Sequence, residues 1–346
     1  MPDIGASQGV HNDVFLTNVS VAYRNQSYVA PMVFPICPVP KRTDKYAVYK
    51  SDTFLRASGL NANGRPQSLR RPGTRSQQIT WDVSNQSYSC EEFARNYPIT
   101  DAERKLADSP ISIEVDTTES LTDTIMLDNE IQVANKAMLR SNYASANKVQ
   151  LVTTTTSWAA ATGKPLSVDI PNGKRAVKSG TLKAANAMAL NYNASIVLSQ
   201  NAEYVDRFKY TSKETVTNAG LIPNINGLEI VESDTMKATS AENATTFTAG
   251  YCWTDDQSQD AALIYLKPAA VGLKMVALGL TFECPDDTTG ASGFTTQRWR
   301  EPWIKSDVIE VATNRDFRFT STDGSTNGDN ASGYATGGYL ISGPTL

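Results

Sequence analysis

The stretch Ile113–Tyr143, IEVDTTESLTDTIMLDNEIQVANKAMLRSNY, contains neither glycine nor proline and is the longest run in the chain that reads as a single helix. Leu127, Ile131, Ala134 and Met138 recur at spacings of four, three and four, the period of an apolar stripe on a helix. Asp116 or Thr117 is the expected N-cap, with Glu119 as the carboxylate of a capping box. Acidic residues (Asp116, Glu119, Asp123, Asp128, Glu130) crowd the first half, and Lys136 and Arg140 close the second, an order that suits the helix dipole. About 25 residues at helical rise make a rod of roughly 37 Å. Two readings stay open from this stretch: an ordinary amphipathic helix lying on a sheet, or a scaffold for a larger assembly.

A chain of 346 residues is long enough for two domains, or for one domain with a large insertion. Its net charge of −4 gives no global case for nucleic-acid binding. The distribution says more. Between Lys41 and Arg75 stand nine basic residues and two acidic ones, so that window carries +7 and the remainder −11. Such an object can attract copies of itself; a solvated basic loop explains the same count. The four cysteines, Cys37, Cys90, Cys252 and Cys284, are far apart and form no Cys-x-x-Cys pair, which fits a reducing compartment and thiols used as small buried hydrophobes. The opening MPDIGASQGV has neither the charged start nor the apolar core of a secretory leader. No apolar run reaches the ~18 residues that a membrane-spanning helix needs.

Residues 1–44 read as an extended arm. VAPMVFPICPVPKR carries Pro31, Pro35, Pro38 and Pro40, which argues against both helix and central strand. Its apolar residues, among them Val33, Phe34 and Ile36, need a surface to lie on, either the chain's own body or a neighbour's. Residues 45–92 read as a long hairpin: KYAVYKSDTFL goes out, a Gly- and Pro-rich basic centre follows, and QQITWDVSNQSYS returns. That centre is either a mobile loop or a structure ordered against a partner. A short helix is predicted over Thr100–Ala107. From Val168 onward helix and strand alternate: a helix within 173–191, a buried strand SIVLS over 195–199, a helix Ala202–Phe208, a turn and strand over 224–233, a strand AALIYLK over 261–267 and extended structure over 271–284. Strands are predicted again over Asp307–Ala312 and Tyr339–Ser342.

Little in the chain points to catalysis. The one histidine, His11, lies in the polar N-terminal segment and leaves no framed imidazole for a triad. Gly163-Lys164 is followed by Pro165 and lacks the upstream glycine of a phosphate loop. Asp255, Asp256 and Asp260 could hold calcium or form an exposed acidic turn; their spacing is not that of an EF-hand.

The segment TNVSVAYRNQSYVAPMVFPICPVPKRTDKYAVYKSDTFLR, residues 17–56, resembles the N-terminal signature of tailed-bacteriophage major capsid proteins. An apolar arm of the form VFP-x-x-PV leads there into a DKY-x-x-Y strand, matched here by Val33, Phe34, Pro35, Pro38, Val39, Asp44, Lys45, Tyr46 and Tyr49. The order of arm, basic hairpin, long helix, α/β block and return strand is similar to the Hong Kong 97-type fold. The resemblance implies an α+β chain. Its parts would be an N-arm (1–44), an extended β-hairpin loop (45–92), a peripheral domain with the spine helix (93–165), an α/β axial domain (166–294), and a peripheral completion with the C-terminal strand (295–346).

The same resemblance implies a non-enzymatic, cofactor-free and metal-free shell protein. Copies would form hexamers and pentamers of an icosahedral virion capsid around double-stranded DNA, contacted non-specifically, and would assemble in the bacterial cytoplasm without a membrane. Because the chain opens directly on the arm, a separate scaffolding protein is expected, besides a portal and a decoration protein. The hairpin from Ser51 to Ser89 has no lysine, so the isopeptide cross-link of the family's type member is not expected. Ring-forming contacts are head-to-tail and need two complementary surfaces. The basic segment supplies one, with Arg56, Arg65, Arg70, Arg71 and Arg75 meeting carboxylates of a neighbour, and Val33, Phe34, Pro35, Ile36 and Pro38 would form an inter-subunit arm. An encapsulin-like protein compartment and a phage tail or adhesion protein are the alternatives.

Overall fold

A computed structural model describes residues 11–12, 28–49, 68–70, 72–76, 83–106, 112–151, 156–208, 223–241, 244–272, 275–285, 293–323 and 333–345. In chain order the elements are β1 (His11–Asn12), the one-turn helix α1 (Ala30–Val33), β2 (Ile36–Pro38), β3 (Thr43–Tyr49), β4 (Val83–Ser89), β5 (Glu91–Thr100), α2 (Asp101–Leu106) and the long helix α3 (Ile113–Ala137). There follow β6 (Lys148–Gln150), α4 (Ile170–Thr181), β7 (Ala187–Asn191), α5 (Tyr192–Gln200), α6 (Ala202–Phe208), β8 (Asn224–Ile225), β9 (Leu228–Ser233), β10 (Met236–Ala238) and β11 (Ala249–Tyr251). The chain closes with β12 (Ala261–Tyr265), β13 (Gly279–Glu283), β14 (Thr295–Glu301), β15 (Ser306–Phe319) and β16 (Gly338–Ser342).

Two six-stranded sheets organise these elements. In the first, the 14-residue β15 is the axis. It pairs with β14 and then β13 along one edge and with β5 along the other. β1 extends the sheet beyond β14, and β2 extends it beyond β13. The second sheet has the order β6-β16-β12-β7-β9-β8. Every residue of β7, β12 and β16 is buried, so this sheet is covered on both faces. One face carries Met188, Leu190, Ala262, Ile264 and Ile341 against Ile170 and Val177 of α4 and Ala194 and Leu198 of α5. The other carries Ala187, Ala189, Leu263, Tyr265 and Leu340 against Val133, Ala134 and Ala137 of α3, and Phe317 and Phe319 of the first sheet join the same cluster. The C-terminal half of α3 is therefore packed into both sheets.

α3 has the expected length of 25 residues, but its ends are shifted. It begins at Ile113, ahead of the expected caps, because Glu114 in its first turn is held by Arg104 at 3.0 Å and by Arg298 at 3.0 Å. It stops at Ala137, short of Tyr143. The side chains of Asn142 and Tyr143 turn back to donate to the Lys136 and Ala137 carbonyls at 2.8 and 2.7 Å, satisfying the last turn. Besides the predicted stripe, a second buried line runs through Thr118, Thr122, Ile125, Asn129 and Val133. The two threonines are tolerated because each hydroxyl donates to a carbonyl one turn back, at 2.8 and 2.7 Å.

Several local expectations are corrected. SIVLS is helical, within α5, and Asn191 caps that helix by accepting the Ala194 N–H at 2.9 Å. The helix expected within 173–191 occupies Ile170–Thr181, and Leu182 ends it in the left-handed conformation (φ 62°). Met188 and Ala189 then belong to β7. The arm is not devoid of regular structure: Pro31 is tolerated in the first turn of α1, where its missing donor is not needed, and β2 is an edge strand ending on Pro38. Strand β13, expected in the α/β block, sits in the first sheet, because its two edges are taken by β15 and β2. Strand β16, expected within the peripheral completion over 295–346, pairs with β12 and β6 of the second sheet.

Two polar clusters fasten α3. At its N-terminal end Asp307 on β15 receives Arg104 at 2.7 Å, Arg298 at 3.0 Å and Arg300 at 3.2 Å. Burial alone would raise this carboxyl, but hydrogen bonds from the three guanidinium groups outweigh it and hold it down to about 2. Further along the helix the buried Glu130 carboxylate accepts the N–H groups of Val29 and Ala30 at 3.1 and 2.7 Å and the indole N–H of Trp253 at 2.5 Å. Desolvation pushes Glu130 up, and the three donors offset part of that.

Phe34 is fully buried, with its ring edge-on to Phe319 at 5.6 Å between centroids. It lies so close to Gly279 that a β-carbon there would meet the ring at 2.1 Å. Phe34→Ala is expected to cost ~3–5 kcal/mol and Gly279→Ala ~1–3 kcal/mol through forced repacking, read from urea unfolding of the unassembled subunit. For Asp307 the folded state lowers the pKa, so its stabilisation is present above the ordinary carboxylate range and lost as pH falls towards about 2. The Tm gap between the unaltered chain and Asp307→Asn should be widest at neutral pH and close through that acid window. The difference isolates this residue, because Glu130, shifted the opposite way, contributes equally to both.

Candidate assembly surface

The arm residues divide sharply. Val33 and Phe34 are 1% and 0% exposed inside the chain's own core. The backbone around them is held as well: Thr281 donates its hydroxyl to the Phe34 carbonyl at 2.9 Å and its N–H to the Pro35 carbonyl at 3.0 Å. Tyr28 donates to an Asp123 carboxylate oxygen at 2.8 Å, and Glu130 takes the next two amides. The expectation of an inter-subunit arm is therefore corrected for Val33 and Phe34, which form intramolecular core. Pro35 and Ile36 are half-buried, and Pro38 is exposed.

The hairpin has its expected base. β3 and β4 pair antiparallel from Thr43↔Ser89 to Tyr49↔Val83. Tyr46 and Tyr88 pack on Phe282 of the first sheet, with ring centroids 5.2 and 4.7 Å apart. Two buried aromatic rings thus fasten the base to the body. Of the five arginines, Arg56, Arg65 and Arg71 lie outside the described residues. Arg70 and Arg75 are exposed, and Arg70 donates to the Thr74 carbonyl at 2.7 Å, closing a turn around Gly73 (φ 79°).

A second exposed feature escaped the sequence reading. The turn Pro302–Lys305 joins β14 to β15, and there Trp303 is 94% exposed and Ile304 49%. The turn is braced. Asp101 donates its N–H to the Lys305 carbonyl at 3.1 Å, and Arg300 makes a two-pronged contact with the Asp101 carboxylate at 2.6 and 2.7 Å. Leu106, at the end of α2, is 81% exposed. Trp303, Ile304 and Leu106 are thus large apolar side chains left in water. On the outer side of α3 a groove of about 410 Å³ is lined by Tyr97, Ile113 and Leu121 with Glu103 and Asp116. The only sequence signal for the tip was two large apolar residues inside a proline-led turn.

The remaining chemistry is structural. Asp256 is exposed in its turn, as expected, whereas Asp255 at the start of that turn is buried, and one of its oxygens accepts the N–H groups of Gln257 and Gln259 at 2.9 and 2.8 Å. Asp260 receives the Asn191 side chain and, at 2.5 Å, the Thr345 hydroxyl. Among the described residues no group of three His, Cys, Asp or Glu is placed to hold a metal ion, and no helix is long and apolar enough to cross a membrane.

No protein-family model matches the chain. It is 26% identical over 213 residues to a protein named major capsid protein from Burkholderia phage BcepMu, and 25% identical over 211 residues to one of the same name from Pseudomonas phage JBD67. These matches cover 59% and 61% of this chain and 63% and 62% of the relatives, so under two thirds of their length is spanned. The fold agrees over nearly the full chain with a phage-related protein from Bordetella bronchiseptica (TM-score 0.68, 18% identity, 98% of this chain and 99% of that one). It agrees more loosely with the mature capsid of bacteriophage PhiM1 (0.53, 11%, 94% and 89%) and with an encapsulin from Synechococcus elongatus (0.54, 12%, 97% and 97%). Built on the α+β Hong Kong 97-type fold, this chain is a homologue of phage major capsid proteins.

Proposed function

We propose that the chain is the shell subunit of a bacteriophage head: copies assemble into hexamers and pentamers of an icosahedral capsid that encloses double-stranded DNA. It acts as a building block and carries out no reaction. The observation that supports this reading most is the pair of sequence relatives, both named as phage major capsid proteins. The fold alone does not discriminate, since the encapsulin and the PhiM1 capsid resemble the chain about equally. An encapsulin-like compartment is therefore the second reading. Assembly in the host cytoplasm with a separate scaffolding protein, a portal and a decoration protein belongs to the first, as does non-specific contact with the packaged DNA.

A head-to-tail ring requires two complementary surfaces on each subunit. In this reading the arginines of the hairpin segment (Arg56, Arg65, Arg70, Arg71, Arg75) pair with carboxylates of a neighbour. Each exposed ion pair contributes only ~0–1 kcal/mol, so these contacts orient more than they bind. Burial of the Trp303–Ile304 tip against another copy supplies the larger share, as a central aromatic anchor does at other interfaces. Pro38 and the half-buried Pro35 and Ile36 are left to contribute at the arm's edge.

Electron microscopy of the expressed protein tests the assembly, and nuclease-protected DNA inside particles from infected cells separates a capsid from a compartment loaded with protein. Arg70→Glu with Arg71→Glu is expected to lower particle yield severely while the subunit keeps its Tm; unchanged yield would count against the hairpin contact. Trp303→Ala should leave subunit stability within about 0.5 kcal/mol, as for exposed positions generally. The same change should raise the protein concentration needed for assembly at least ~10-fold, the effect of losing one anchor of about 1.4 kcal/mol. Sedimentation of assembly reactions across a concentration series reads both effects.

A further inference from the structure

Helix periodicity builds the groove on α3. Ile113, Asp116, Thr117, Ser120 and Leu121 are spaced by three, one, three and one, so they share one face of its first turns. Thr118, Thr122 and Ile125 are buried on another face, and Leu121 stands where the two meet. Tyr97 of β5 and Glu103 of α2 close the far side. Ile113 and Leu121 are half-buried against Ile99 and Ile309, so the groove has an apolar floor and an aromatic wall. Among the described residues its lining carries two carboxylates, Glu103 and Asp116, and no cation. Glu103 is already engaged, accepting the Thr100 N–H at 2.9 Å and the Thr100 hydroxyl at 3.0 Å. Asp116 is exposed. The turn Pro302–Lys305 has the opposite character: apolar Trp303 and Ile304, followed by Lys305 as its one charged side chain, all exposed. Trp303 is almost wholly in water, so the turn does not occupy the groove of its own chain.

We propose that this groove is the receptor for the Trp303 turn of a second copy of the chain. The indole lies on Ile113, Leu121 and Tyr97, and Lys305 meets Asp116. The inference rests on the reading that the turn packs on another copy, and it adds the surface that receives it. Size fits: about 410 Å³ falls within the ~300–1,000 Å³ of pockets that take bulky organic groups. Chemistry fits as well. An indole packs favourably against a tyrosine ring, and its N–H finds acceptors in the groove carboxylates. Charge is complementary, a cation on the turn against an acidic lining. Turn and groove are different surfaces of one subunit, so the contact is head-to-tail and passes from copy to copy. Both rest on the ion cluster at the start of α3. Arg300 and Asp101 pair at 2.6 Å under the turn, and Arg104 and Glu114 pair at 3.0 Å beside the groove. Neither part has to rearrange to dock, which keeps the ordering cost low.

Zero-length cross-linking of the full-length chain tests this. Isotopically light and heavy subunits are mixed, treated with a water-soluble carbodiimide, which joins a paired ammonium and carboxylate as an amide, and mapped by peptide mass spectrometry. The expected product is a light–heavy link between Lys305 and Asp116. Trp303→Ala should lower its yield about 10-fold, the loss of one anchor. Lys305→Glu combined with Asp116→Lys should restore a light–heavy link through the reversed pair. A link found only within single copies, a light–heavy link from Lys305 to a carboxylate outside the groove, or no light–heavy link at all would overturn the proposal. The unaltered chain decides this even if a variant fails to fold. Electron microscopy of the same samples separates the two readings. Particles without the link remove the groove and leave the shell standing; the link without particles keeps the groove and counts against the shell.

Discussion

One carboxylate fixes how this molecule is put together. Glu130 is 0% exposed near the middle of α3 and takes its donors from Val29, Ala30 and Trp253, residues that belong to the arm and to the loop before β12. A buried carboxylate is costly unless its oxygens are satisfied. The arm amides satisfy it, and they would themselves be left unpaired beside an apolar core without it. Each side therefore needs the other. Once the amides are seated, α1 is aligned on α3, Phe34 enters the recess opened by Gly279, and β2 is delivered to the edge of β13. A single polar contact on a long helix thus determines the edge of the first sheet.

The consequence for the surface is that Val29, Ala30, Val33 and Phe34 of the arm are spent on the subunit's own core. Two features remain, and each is mechanically supported. Aromatic packing of Tyr46 and Tyr88 on Phe282 holds the hairpin base. The Trp303 turn is held by Arg300 and Asp101, which connect through Asp307 to Arg104, Arg298 and Glu114 at the start of α3. The same ion cluster that anchors the helix also stiffens the tip. In the proposed assembly, an anchor presented on a rigid mount loses less conformational entropy on docking than a flexible one.

Much of this was readable from residue order, and the failures have physical causes. α3 was legible because an unbroken run with a regular apolar period leaves few alternatives. Its ends were not, because they are set by Arg104, Arg298, Asn142 and Tyr143, partners that only the fold brings near. SIVLS has the same short apolar composition as a buried strand, and only the Asn191 cap, one residue before α5, distinguishes the two. The arm's prolines argued against helix and central strand; β2 is an edge strand, where Pro38 does no harm, but Pro31 falls in the first turn of a one-turn helix, a position that tolerates it. The buried cluster of Cys37, Cys90 and Cys284 was invisible because it joins segments far apart in sequence, and the Trp303 tip was missed because two apolar residues in a turn do not by themselves encode exposure.

Hydrogen exchange of the isolated, unassembled subunit tests the arm–helix account most directly, at the amides of Val29 and Ala30. If Glu130 holds the arm within its own chain, both amides are protected to the same degree as those of α3 around Ala134, and Glu130→Gln releases them while α3 stays protected. Fast exchange at Val29 and Ala30 in the free subunit, with protection gained only in assembled particles, would mean that a neighbour seats the arm, and the intramolecular account would be wrong.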